Sequence, residues 1–220
     1  VKILIKMIDD NLDNFFTGRG SWSFENIDHL EFEDHISKSI PGYSSGHEYI
    51  TFLSDYFINP DSKIYDIGCS TGNLIAKLSK YNTKKNNLSF IGIEPVEKFE
   101  KTFNINTLTN ESNKSHTFEF NTTPIQELKL QTCDLVIAYY TIQFIEPKYR
   151  QKIIDMIYSK LNWGGGFFFF EKVRGVDARF HEMINLAYLE YKSNVGYSSN
   201  EIISKMFSLK GVLEPYSTRE

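Results

Sequence analysis

Chemistry in this chain gathers where short apolar runs stop. Ile64, Tyr65 and Ile67 form such a run, with Asp66 inside it, and Gly68 ends it. Gly72 follows, and then Leu74, Ile75, Ala76 and Leu78 recur at helical spacing. The pattern is a buried strand, a glycine turn and a helix. Such a turn lets a ligand approach the backbone closely, and the new helix offers unpaired N–H groups. A second apolar run, Leu88–Ile93, stops at Glu94, 22 residues past Gly72. A carboxylate at the end of a second strand can accept hydrogen bonds from both hydroxyls of a ribose. Asp66, Gly68, Ser70 and Glu94 together therefore point to a nucleoside-type ligand. Taken singly, the turn is also an ordinary strand-to-helix connection and Glu94 a solvated helix cap. The spacing is neither the Gly-x-Gly-x-x-Gly fingerprint nor a phosphate-binding loop with Lys-Ser/Thr.

The elements that must position these residues alternate. Apolar strands are expected at 63–67, 88–93, 116–120, 134–140 and 167–170, with helices between them. That alternation implies an α/β doubly wound Rossmann-like sheet of order 3-2-1-4-5 with right-handed crossovers. The 220 residues suit one domain, with an N-terminal helical cap at about 20–58 and a helical insertion at about 176–209. Ile27–Ile40 reads as helix, and Pro41-Gly42 breaks it. Tyr49, Ile50, Phe52, Leu53, Tyr56 and Phe57 then read as an amphipathic helix packed on the sheet. Asn104–Ser115 reads as a flexible polar loop, Trp163–Gly166 as a tight turn, and Ser198 as the cap of a last helix. Residues 1–20 are weakly patterned, and Trp22 and Phe24 either cap the core or roof a pocket.

Net charge is −4 and pI about 5.8, which argues against a broad nucleic-acid surface. Two cysteines, Cys69 and Cys133, sit in or beside strands with no paired spacing, as in a reduced, cytoplasmic protein. No signal peptide and no membrane-length apolar run is read, and Val1–Met7 is interrupted by Lys2 and Lys6. The five histidines are scattered, so no metal is assigned.

Asp66-Ile-Gly-Cys-Ser-x-Gly with Glu94 resembles motif I and the ribose acid of class I S-adenosylmethionine (SAM) dependent methyltransferases. Ser21-Trp-Ser-Phe24, Ile40-Pro-Gly-Tyr-Ser44, Thr141-Ile-Gln-Phe-Ile-Glu-Pro147, Glu171-Lys172 and Gly196-Tyr-Ser198 with Glu201-Ile202 and Lys205 narrow the resemblance. They are similar to the carboxy-SAM synthases (CmoA family) of tRNA wobble-uridine modification, over 21–217. The resemblance implies SAM or carboxy-SAM as cofactor, held by Tyr43, Asp66, Gly68, Cys69, Ser70, Gly72, Glu94, Pro95, Pro124, Ile125 and Tyr139. It also implies carboxyl transfer from prephenate in that family's own reaction.

This chain departs from the pattern in several places. Thr123, Pro124 and Ile125 stand where an acid usually meets adenine, leaving the Ile125 N–H. Tyr139 stands where the family has an asparagine. Met206 takes the place of the arginine that grips the added carboxylate, and Lys205 matches a lysine the family also has. Plain SAM chemistry is therefore expected: methyl transfer to an unidentified, small-molecule acceptor. In-line displacement at a sulfonium needs alignment and a dry site rather than an acid or base, so the catalytic residues are unknown. Two alternatives stand beside it, the family's carboxy-SAM synthesis and a catalytically silent partner subunit. The usual C-terminal hairpin is expected to be absent, so the strand-five edge is expected to be covered, by a homodimer partner, by the 176–209 helices or by a further segment.

Overall fold

The structure, a computed structural model, describes residues 18–108 and 115–220. They fall into two compact units: Ile27–Lys172, and Val173–Glu220 with the described part of Val1–Asn26. The readings of 1–17 and of the loop tip 109–114 lie outside the described residues.

The Ile27–Lys172 unit holds five parallel strands: β1 (Lys63–Ile67), β2 (Ser89–Ile93), β3 (Thr117–Asn121), β4 (Cys133–Tyr139) and β5 (Leu161–Phe170). Their order is β3-β2-β1-β4-β5, as expected. The helices are α1 (Phe32–Ser39), α2 (Tyr43–Ser54), α3 (Asn73–Tyr81), α4 (Glu100–Leu108) and α5 (Pro147–Lys160). Alternation along the strands sorts side chains onto two covered faces. Ile64, Phe90, Leu135 and Ile137 join Leu74, Leu78 and Phe103 in one core. Tyr65, Ile67, Ile91, Ile93, Val136 and Ala138 join Ile153 and Ile157 in the other. Burial on both sides explains why the strands are nearly continuous apolar runs. Each fully buried side chain such as Phe90 or Leu78 contributes about 1.5–3 kcal/mol. The connectivity reverses between β1 and β4, which opens a crevice at their carboxyl ends.

Four local expectations are corrected. The first helix is shorter than 27–40, because Asp28 caps a turn at Leu30 before α1 begins. Only part of the expected stripe faces the sheet: Ile50 is in the core and Phe57 packs edge-on to Phe168 of β5, but Tyr49, Phe52, Leu53 and, just past α2, Tyr56 are exposed. The buried stripe is Gly46, His47, Ile50 and Ser54: Gly46 lies against the Tyr139 ring of β4, and Ser54 Oγ accepts from Asn82 Nδ2 at 3.1 Å. The helix of 100–108 runs into the expected loop from Asn104, anchored by the buried Phe103, whose carbonyl accepts the Thr107 hydroxyl at 2.8 Å. Trp163–Gly166 is a bulge within β5 rather than a turn before it: Cys133 pairs Leu161 while Leu135 pairs Gly166.

The other unit carries α6 (Ala178–Asn194), capped by Asp177, and α7 (Ser199–Ser208). Ser198 caps α7 as expected, in a reciprocal box with Glu201. The Lys192 ammonium lies 3.6 Å from the Tyr197 ring centre, and that of Lys205 lies over Trp22. Burial, and secondarily Lys192, holds Lys205 down at about 7. Met206 points outward on α7.

Candidate functional site

Gly68 ends β1 with its N–H donated to Ile93 O at 2.7 Å, which locks the turn to the end of β2. It sits at φ +76°, and any Cβ there would strike the Thr141 side chain. Thr141 in turn donates its hydroxyl to Ile67 O at 2.8 Å. The turn after β1 and the turn after β4 are thus bolted together. Two non-glycine residues at these turns, Ser70 (φ +46°) and Tyr140 (φ +56°), lie in the left-handed region. Such conformations cost about 1–3 kcal/mol and persist where surroundings enforce them, often at binding sites.

For Ser70 the enforcing group is Glu94. One Glu94 oxygen accepts from Ser70 N at 3.2 Å and Ser70 Oγ at 3.4 Å, and the other from Val96 N at 3.0 Å. Asp66 lies on the same side, 2% exposed, and its carboxylate makes no hydrogen bond or ion pair with a described residue. Burial, and then Glu94, pushes Asp66 up to about 7. Cys69 lends only backbone to the turn, since its thiol is packed in the core and burial pushes its pKa well up. On the third strand's turn, Ile125 is buried and its N–H donates to no described residue, while Thr123 N donates to Asn121 Oδ1 at 2.9 Å. Pro95 is exposed beside Glu94.

Tyr43 opens α2 and packs against His47 and Tyr139, with ring centres 4.7 and 5.0 Å away. Burial, and then the charge of Glu33 and neighbours that include Asp66, pushes its phenol far above the ordinary range. Tyr139 is 9% exposed and donates its hydroxyl to Tyr43 O at 2.6 Å. Its ring lies so close to α2 that only glycine fits at position 46. Tyr139 thus fills space beside Tyr43 and spends its hydroxyl on the backbone. His47, buried next to them, is held down at about 3 by burial and by Lys77.

Sequence reasoning missed two acids. Glu171, at the end of β5, accepts from Ile142 N at 2.8 Å and Gln143 N at 3.0 Å. Arg150 supports the same turn through Ile145 O (2.7 Å) and Gln143 O (3.0 Å). Burial still leaves Glu171 raised to about 7. The Glu-Lys pair and the Thr141–Pro147 segment were both visible as motif fragments, but nothing in the sequence showed that one bonds the other. Glu33 on α1 reaches the glycine turn, accepting from Thr71 Oγ1 and from Asn73 Nδ2 at 2.9 Å. No local signal marked it.

Residues 65–167 match the family model described as a methyltransferase domain. The carboxy-S-adenosyl-L-methionine synthase of Staphylococcus epidermidis is 31% identical over 200 residues, covering 90% of this chain and 84% of that protein. That of Campylobacter lari is 33% identical over 193 residues, covering 86% and 78%. Among solved structures, the plantazolicin methyltransferase BpumL in complex with a triazolic desmethylPZN analog and SAH superposes with a TM-score of 0.60 at 14% identity. It covers 96% of this chain and 74% of that one, a likeness of fold.

Proposed function

From a chain that belongs to the carboxy-S-adenosyl-L-methionine synthase family and is a SAM-dependent transferase, we propose plain SAM chemistry: transfer of the sulfonium methyl group to a small-molecule acceptor. The observation that carries it is Met206, which stands where the resembled family has the arginine that grips the added carboxylate, and the charge of the crevice agrees with it. Asp66 and Glu94 sit at the glycine turn, and Glu33 approaches it from α1. Carboxylates suit a sulfonium and an ammonium, and they repel an added carboxylate. The single arginine in 27–172, Arg150, is buried and bonded to two carbonyls of the β4 turn. Met206 offers nothing to an anion.

In this reading Glu94 accepts the ribose hydroxyls, Asp66 faces the aminoacyl end, and Gly68, Ser70 and Gly72 admit the ligand to the backbone of Cys69. The adenine lies between Pro95 and Pro124-Ile125, with the Ile125 N–H as its donor. Tyr43 and Tyr139 wall the sulfonium side. Alignment and exclusion of water then carry the displacement.

A second reading is favoured by the relatives' names, carboxy-SAM synthesis; the resemblance given above adds prephenate as the carboxyl donor and tRNA modification as the use. Incubating the protein with SAM and prephenate separates the two. We expect no SAM-derived product heavier by one carbon dioxide, and its formation at enzymatic rates restores the family's reaction. A silent subunit would show no thermal shift with SAM.

We place the protein in the cytoplasm, on its two unpaired buried cysteines. No described helix is long and apolar enough to cross a membrane. We also propose a homodimer, through the apolar face of α6 (Phe180, Met183, Ile184) or the β5 edge, where Phe169 is exposed. Light scattering at the monomer mass would overturn it.

A further inference from the structure

The turn after β3 is joined to the acid that marks the crevice. Ile93 pairs Asn121 across β2 and β3, and Glu94 N donates to Asn121 O at 2.9 Å. A purine on a ribose held at Glu94 therefore reaches residues 122–126, next along the sheet. What that turn offers is one donor. Ile125 is 4% exposed, and its N–H donates to no described residue. Buried backbone N–H groups are nearly always paired, so this one marks the place of a ligand acceptor.

Acceptors at the same turn are spent or missing. Asn121 Oδ1 accepts from Thr123 N at 2.9 Å, Pro124 O from Glu127 N at 2.9 Å, and Ile125 O from Leu128 N at 3.3 Å. From Asn121 to Gln126 there is no acid, and the first one after it, Glu127, is exposed. Pro124 has neither an N–H nor a side-chain acceptor. The hydroxyls of Thr122 and Thr123 sit on an exposed and a half-buried residue, neutral and open to water. A neutral contact that water can replace discriminates little. A site rejects an analogue strongly only when its own buried polar group is left unpaired, and an apolar wall has no such group. The turn is thus built to read an acceptor on the ring and not an exocyclic amine.

We propose that this site is selective for an unprotonated purine N1, through the Ile125 N–H, and indifferent to the 6-amino group, through Pro124. Its ligands then include S-nucleosyl compounds whose purine carries hydrogen at position 6 in place of the amine. Hypoxanthine is excluded, because its N1 bears a proton and faces the Ile125 N–H donor to donor. This selectivity rests on the SAM reading above and adds to it which edge of the base the chain inspects.

The test is isothermal titration of the full chain with S-adenosylhomocysteine, with its 6-deamino analogue and with S-inosylhomocysteine. We expect the first two to bind within about fivefold of each other and the third to bind at least about tenfold more weakly than S-adenosylhomocysteine. Pro124→Asp supplies a carboxylate for the amine, and should raise the preference for S-adenosylhomocysteine over the 6-deamino analogue beyond about fivefold. A 6-deamino analogue outside the fivefold window in the wild type, S-inosylhomocysteine inside the tenfold one, or a Pro124→Asp preference still within fivefold overturns the proposal. The wild-type titrations decide it by themselves if Pro124→Asp does not fold. Wild-type protein that binds none of the three overturns the SAM reading as well, so the two failures are distinguishable.

Discussion

Glu94→Ala probes a side chain that straps the glycine turn and, in the proposed reading, holds the ribose. Its oxygens accept from Val96 N at 3.0 Å, Ser70 N at 3.2 Å and Ser70 Oγ at 3.4 Å, so one bond is good and two are long. A bond to a charged group is worth about 1.5–3 kcal/mol when well formed, and the long pair falls below that. Against this, alanine removes a charge only 7% exposed that faces Asp66, which relieves desolvation and repulsion. The balance is a loss of about 1–3 kcal/mol, or a fall in Tm of about 2–12 °C for a chain of this size. A strand-end position considered without its partners would suggest almost no loss. Ser70 would also be freed from its left-handed backbone. With the ribose contact gone as well, SAM should bind roughly ten- to a hundred-fold more weakly by calorimetric titration. Glu94→Gln, which keeps an acceptor, should recover more of the Tm than of the affinity. Unchanged SAM affinity in folded Glu94→Ala refutes the ribose assignment, and an unchanged Tm refutes the strap.

Asp66 makes the site sensitive to pH. Its folded pKa is raised to about 7, so it favours the fold below the ordinary carboxylate range, and that contribution is lost as pH rises through about 7. Ligand affinity should move the opposite way, because the ionised form is the one that pairs with a cation. SAM titrations on either side of neutrality should show tighter binding on the alkaline side, and Asp66→Asn should flatten the profile. Gly46→Ala should destabilise the protein by about 1–3 kcal/mol in urea melts despite alanine's better helix propensity, because the added methyl collides with the Tyr139 ring and hydroxyl. Trimming that ring with Tyr139→Ala in the Gly46→Ala background should return part of the loss, and simple additivity of the two would contradict the contact.

The sheet and its switch point were legible in the sequence because they follow from local signals. Apolar runs of strand length marked β1, closed by Gly68, β2, closed by Glu94, and β4, and their alternation with helices set the order of the sheet. Gly68 and Glu94 stood out for the same reason, since a turn after a buried strand and an acid at the end of the next are readable within about thirty residues. Tertiary structure decided which helix face was buried and which side chains met. In the α2 stripe Ile50 faces the core but Tyr49 and Phe52 point outward, because the inward face meets the Tyr139 ring at Gly46 and the Asn82 side chain at Ser54. Repeated glycines after Asn162 look like a turn, yet pairing with β4 on both sides of them makes a bulge. Glu171 reaches a turn 28 and 29 residues away, and Glu33 a turn 38 and 40 residues away. Periodicity carries no information about such pairs. They exist only once the packed layers bring β5 beside β4, and α1 beside the glycine turn.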